Sequence, residues 1–225
     1  MRIRSRFSKE EAVRFISHLD LARTIERAVR RVGLPIAYSQ GFNPRPKMSF
    51  GSALAVGVTS SAEYIDMEFA DRIAVDGFLS SINQKLPAGI RFKEAVEIGP
   101  ELPTLMSVID RASYILTGNL GQNQDLGLKV QRILESEVIW VERPGKKQTR
   151  QIDIRPWIFS LEVLKEGAGA GSAALLVQTG SRGNVRPEEV AVHLSWDITH
   201  IRIHRSGLFI ARGSRLLSPL DVAHC

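Results

Sequence analysis

Cysteine is nearly absent from this chain of 225 residues: there is one, Cys225. That excludes a disulfide framework within the chain, and any zinc or iron–sulfur site built on several of its own thiolates. A lone thiol fits a reducing compartment. Long apolar runs are also missing. No stretch of 18 apolar residues occurs, so no membrane-spanning helix is expected. The segment Met1–Phe15 lacks the apolar core of a signal peptide, and the cytoplasm is the expected location. Several chemical signatures are absent as well. The sequence holds no GxxxxGK[ST], GxGxxG or GxSxG pattern. His193, His200, His204 and His224 show no HExxH or comparable ligand spacing, so no metal site is expected.

What is present has the balance of a globular chain, 44% hydrophobic and 24% charged, at a length that suits one large or two small domains. The net charge is +6, and its placement matters more than its size. Residues 1–50 hold 11 basic and 4 acidic side chains, residues 51–100 hold 4 and 7, residues 101–140 hold 3 and 5, and residues 141–215 hold 12 and 7. The excess therefore sits in two blocks. Most of the cations are Arg, whose planar fork suits phosphate and carboxylate. Two such blocks point to an anionic partner, nucleic acid foremost. The plainer alternative is an Arg-rich genome whose cations only solvate the surface.

Alternation and helical spacing outline the elements. Arg2–Phe7 reads as a strand. Ser17-His-Leu-Asp20 has the form of a capping box, and Leu21, Ile25, Ala28 and Val32 follow at helical spacing. Gly33 and Pro35 end that helix. Ile36–Tyr38 reads as a short strand, Ser39–Lys47 as an irregular loop with two prolines, and Met48–Val58 as running into a strand. Glu63–Phe69 and Ile90–Ile98 alternate as strands around a helix at Val75–Leu86. The order over residues 1–98 is βαββαβ, the split arrangement of ferredoxin-like folds. Residues 99–110 form the natural linker. Beyond it, strands are expected at Ser113–Thr117, Val138–Arg143, Gln151–Ile154, Ile158–Lys165, Ala173–Thr179 and Ile198–His204. The basic turn Pro144-Gly-Lys-Lys147 and the Gly/Ala-rich turn 167–172 connect two pairs of them. Helices are expected at Asp125–Ser136 and Pro187–Leu194. The expectation is an α+β protein of two tandem ferredoxin-like halves, residues 1–98 and 111–210, the second with an inserted β-hairpin, and a tail at 211–225.

The densest chemistry lies in residues 17–50. Arg23, Arg27 and Arg30 recur at i, i+4 and i+7, so they leave one side of a helix and can follow successive phosphates. Arg31 joins them. The loop adds Arg45 and Lys47, with Phe42 placed to stack on a base and Asn43 beside it. The alternative is that the arginines pair with Glu26 and water while Phe42 fills the core. His18 as a general base and Asp20 as a nucleophile are the catalytic candidates. Against them, Asp20 sits where a capping carboxylate belongs and His18 in the first helical turn. In the second block, Asp153 and Arg155 point the same way on a strand and can pair, with Arg155 a further binding candidate. Residues 182–189 resemble a Gly-rich anion loop ahead of a helix.

A longer pattern runs through these residues: Phe15-Ile-Ser-His-Leu-Asp20, Arg23, Glu26-Arg-Ala28, Arg30-Arg31, Leu34-Pro35, Tyr38-Ser39, Gly41-Phe-Asn-Pro44, Pro46-Lys47 and Ser49-Phe50. Gly57-Val58, Glu63-Tyr64, Asp153-Ile-Arg-Pro156, Arg186-Pro-Glu-Glu189, His204-Arg205 and Leu208 extend it. It resembles the bacterial radical SAM-linked domain of unknown function over about residues 1–210. The resemblance implies association with a radical SAM protein, by fusion or as a neighbour, and an RNA- or ribosome-related task, with ribosomal or transfer RNA as the partner. The chain has no CxxxCxxC, so the iron–sulfur cluster and S-adenosylmethionine are expected only on the partner protein. The resemblance supplies no catalytic residues. The sequence thus points to a non-catalytic RNA-binding or substrate-presenting partner. An RNA-modifying or RNA-cleaving enzyme using His18 or Asp20 is one alternative, and a protein adaptor without RNA is another.

Overall fold

The computed structural model describes residues 1–120, 125–145, 148–167 and 169–224. Cys225, the Lys146–Lys147 pair, Ala168 of the 167–172 turn and the side chains of Ala223 and His224 lie outside what is described. The chain forms an α+β fold of two compact units, Met1–Ile109 with Gly207–Cys225, and Asp110–Ser206. The boundary falls inside the expected linker, while the residues from Gly207 onward group with the first unit.

The first unit runs β1 (Arg2–Lys9), α1 (His18–Val32), β2 (Met48–Phe50), β3 (Thr59–Glu68), α2 (Val75–Lys85), β4 (Ile90–Ile98) and α3 (Leu105–Val108). β1 lies between β3 and β4, antiparallel to both, and β2 pairs antiparallel with β3. Alternation gives each strand an apolar side. Ile3 and Phe7 of β1, Ile65 and Met67 of β3, and Ile90 and Phe92 of β4 share one core with Leu21, Ile25 and Val29 of α1 and Phe78 and Ile82 of α2. Phe7 stacks on Phe92 at 5.4 Å, and Phe78 meets Phe92 edge-on at 5.8 Å. Each such side chain contributes about 1.5–3 kcal/mol on burial. The strand expected through Val58 stops at Phe50. Gly51 follows, packed so closely that a Cβ there would come 2.7 Å from the Ile109 side chain. Lys9 then secures the 51–58 turn, its buried ammonium donating to the carbonyls of Arg14 (2.7 Å) and Val58 (3.3 Å).

The second unit runs β5 (Arg111–Asn119), α4 (Leu126–Glu135), β6 (Trp140–Arg143), β7 (Arg150–Asp153), β8 (Ile158–Gly167), β9 (Ala170–Gln178) and α5 (Pro187–His193), and takes the start of β10 (Arg202–Arg212). The order within its sheet is β10–β5–β9–β8, while β6 and β7 form a two-stranded ladder of their own. β5 and β9 pair without a break from Arg111↔Gln178 to Asn119↔Ala170. Asp125 caps α4, its carboxylate accepting the Leu128 N–H at 2.9 Å. Pro187 opens α5, and the Glu189 carboxylate accepts the Arg186 N–H at 3.0 Å.

The last strand differs from the expected Ile198–His204. Residues 197–200 are held in a turn by the Asp197 carboxylate, which accepts the backbone N–H and hydroxyl of Thr199 and faces His200 Nδ1. β10 therefore starts at Arg202 and continues through buried Leu208 and Ile210. β11 (Arg215–Leu217) folds back on it. Leu220 and Val222, in the expected tail, are buried.

Candidate nucleic-acid interface

α1 begins as its sequence dictates. The Ser17 hydroxyl oxygen accepts the Asp20 N–H (3.1 Å), and the hydroxyl donates to Asp20 Oδ2 (2.7 Å). Gly33 closes the helix in the left-handed region, φ 75°, where a glycine has no Cβ to strain. The buried side carries Leu21, Ile25, Ala28 and Val29. Arg23, Arg27, Arg30 and Arg31 are all exposed. Arg30 is paired with Glu26. The neighbouring Tyr38 hydroxyl, and then the Glu26 carboxylate, push its pKa higher. Arg23 lies 3.7 Å from Asp20 in an exposed, loose pair. Arg27 and Arg31 make no ion pair among the described residues.

Tyr38, at the base of the loop, lies near enough to Arg30 of the helix to act on its charge, a proximity that sequence spacing does not reveal. The base of the loop extends the sheet edge: Ile36 bridges Phe69, and Tyr38 bridges Pro46. The Ala37 N–H donates to the Glu68 carbonyl (2.8 Å), the Glu68 N–H to the Lys47 carbonyl (3.0 Å), and the Lys47 N–H to the Ala37 carbonyl (2.8 Å). Above this ladder the Ser39 N–H donates to the Arg45 carbonyl (2.8 Å), and the Arg45 N–H to the Ser39 hydroxyl (3.0 Å). Residues 40–44 form the tip, with Gly41 at φ 127°. Phe42 is 106% exposed, so it does not fill the core. Asn43 and Arg45 are exposed, and among the described residues no side-chain hydrogen bond or ion pair engages either. Lys47 pairs with Glu68 at 2.7 Å.

Both catalytic candidates lie at the start of α1, where the Asp20 carboxylate accepts the Ser17 hydroxyl and lies 3.7 Å from Arg23. The His18 ring sits edge-on to Phe50, centroids 4.8 Å apart. No hydrogen bond joins the side chains of His18 and Asp20.

In the second basic block Arg143, Arg155 and Arg182 bond to groups of their own unit, while Arg150, Arg186 and Arg202 are exposed. Asp153 does not pair with the Arg155 side chain. Its carboxylate accepts the backbone N–H groups of Ile139 (2.8 Å) and Arg155 (3.0 Å). The Arg155 guanidinium donates to the carbonyls of Leu134 (2.6 Å) and Ile158 (3.1 Å), because residues 155–157 form a helical turn rather than a strand. In the 182–189 loop, Arg182 pairs with Asp110 at 2.8 Å. Glu189 receives a two-pronged bond from Arg143, at 2.7 and 2.6 Å.

Among the described residues no helix is long and apolar enough to cross a membrane. No group of three or more His, Cys, Asp or Glu side chains there is placed to hold a metal ion.

No curated protein matches the sequence. Among solved structures, the chain is similar to one in "Crystal Structure of a Cbf5-Nop10-Gar1 Complex", at 10% identity and TM-score 0.49, covering 99% of this chain and 54% of that one. It is also similar to one in "Structure of H/ACA RNP bound to a substrate RNA containing 2'-deoxyuridine", at 15% identity and TM-score 0.44, covering 90% and 46%. The chain spans about half the length of these structures. The model of the family described as "Uncharacterized protein conserved in bacteria (DUF2344)" matches residues 2–187, most of the chain, which belongs to that family.

Proposed function

We propose that this chain is a non-catalytic RNA-binding protein of the cytoplasm that holds an RNA, ribosomal or transfer RNA foremost, for a radical SAM partner. The iron–sulfur cluster and S-adenosylmethionine belong to that partner. The observation that carries the RNA reading is that one compact unit exposes Arg23, Arg27 and Arg31 on α1 and both Arg45 and the aromatic Phe42 on the loop. Exposed arginines neutralise phosphates, and an exposed ring offers a stacking platform. The partner rests on the resemblance of residues 15–50 to radical SAM-linked domains. The fold we read as two ferredoxin-like halves, the insertion in the second being β6–β7 and not the expected hairpin Ile158–Lys165 with Ala173–Thr179, whose strands β8 and β9 lie in the main sheet. Support comes from the order β4–β1–β3 with β2 on β3, and the order β10–β5–β9–β8.

The test is RNA binding at low salt by the Arg23→Glu/Arg27→Glu/Arg31→Glu variant. Loss of binding with an unchanged melting temperature is expected, and unchanged binding contradicts the reading. His18→Ala and Asp20→Ala are expected to bind RNA normally. An RNA product made by the isolated wild-type chain and lost in either variant would make it an enzyme. Copurification of a radical SAM protein is expected to survive nuclease treatment.

A further inference from the structure

The loop tip states more than a charge preference. Phe42 is wholly exposed, although burying a phenylalanine ordinarily contributes about 1.5–3 kcal/mol to folding. Its position does not come from a slack chain. The two Ser39–Arg45 bonds and the Tyr38–Pro46 bridge close the loop beneath it. Pro44 and Pro46 stiffen the same segment, which lowers the ordering cost of binding. The ring is thus presented rather than left over.

The surroundings narrow what it meets. Gln40, Asn43 and Arg45 flank it, all exposed and polar or charged. An apolar protein pocket or a membrane surface calls for several clustered apolar anchors, and the 39–47 tip offers one. A base face suits a single ring with cations at its side. In a duplex those faces are covered by stacking, and side chains reach only the groove edges.

Resting on the RNA reading above, we infer that this site selects unpaired nucleotides. Phe42 stacks on one splayed base, the Asn43 amide hydrogen-bonds that base's edge with its donor and acceptor, and Arg27, Arg31 and Arg45 neutralise the phosphates around it. The class of ligand is a single strand, loop or bulge, and paired RNA binds more weakly.

Three labelled RNAs test this with the full chain: a single strand of about 12 nucleotides, a blunt duplex of the same sequence, and a hairpin with an unpaired loop. Wild type is expected to bind the strand and the hairpin at least about tenfold more tightly than the duplex. Phe42→Ala is expected to lose about tenfold on the strand and the hairpin while leaving duplex binding and melting temperature unchanged, and Phe42→Trp to restore affinity. A 2-aminopurine in the strand is expected to be quenched by wild type and not by Phe42→Ala. Equal wild-type affinity for strand and duplex, or strand binding unaffected by Phe42→Ala, overturns the selectivity while leaving RNA binding standing. No binding of any RNA at low salt overturns the RNA reading itself. Loss of a copurifying protein in Phe42→Ala, with RNA affinity intact, overturns the inference in favour of a protein contact.

Discussion

Arg4 and Asp66 stand directly opposite each other on neighbouring strands, with Arg4 Nε 2.8 Å from one carboxylate oxygen and Nη2 3.0 Å from the other. Both side chains are almost wholly buried. Arg2 adds a bond to the same carboxylate at 2.6 Å, and further Arg4 N–H groups reach the carbonyls of Pro103 and Pro219. Removing the carboxylate leaves an uncompensated buried cation, which costs about 3–5 kcal/mol. Asp66→Ala is therefore expected to shift urea unfolding by that amount. The Arg4→Met/Asp66→Leu pair is expected to recover a large part of it. A shift below about 1 kcal/mol for Asp66→Ala, the scale of an exposed pair, would show that the cluster does not bind the sheet together.

Arg155 gives a contrasting prediction. Its guanidinium joins the end of α4 to the start of β8 through two carbonyls, and bonds of this charged kind contribute about 1.5–3 kcal/mol each. Arg155→Ala is expected to lower stability by about that much while leaving RNA affinity unchanged. Weaker RNA binding at unchanged stability would instead make Arg155 part of the binding surface.

Asp197 carries the clearest titration signature. Hydrogen bonds from Thr199 first, then from His200, hold its carboxyl pKa down to about 2 from 3.8. A carboxylate depressed in the folded state stabilises the turn above its ordinary pKa, and that support fades as pH falls through the folded value. Carboxyl NMR is expected to show a midpoint near 2 for wild type, rising toward 3.8 in Thr199→Val. A midpoint near 3.8 in both proteins would contradict the turn geometry.

The sequence exposes α1 almost residue for residue, because its signals are local: a Ser17 cap, an apolar stripe and a Gly33 stop. The cap-bounded α4 and the Pro-led α5 are legible for the same reason. The Arg4–Asp66 pair is hidden, since its partners are 62 residues apart and nothing local says that an Arg in an alternating strand turns inward. β10 is obscured in the same way, because buried Arg205 breaks the apolar alternation that would mark the strand. At the candidate site, spacing places the arginines on one side of α1 but cannot say which are already paired. The Glu26 partner of Arg30 is within reach of such reasoning, while the reach of Tyr38 to Arg30 depends on the loop's path. In residues 182–189 the Asp110 partner of Arg182 is hidden for the same reason, lying 72 residues away.

The central claim, that the exposed arginines of α1 and the loop meet RNA phosphates, is tested most directly by salt dependence. The affinity for a single-stranded RNA should be measured against salt for wild type and for Arg23→Ala/Arg27→Ala/Arg31→Ala/Arg45→Ala. Each phosphate contact contributes about −0.7 to the slope of log affinity against log salt. The account predicts a slope shallower by about 0.7 for every arginine that engages a phosphate. An identical slope in the two proteins would contradict it.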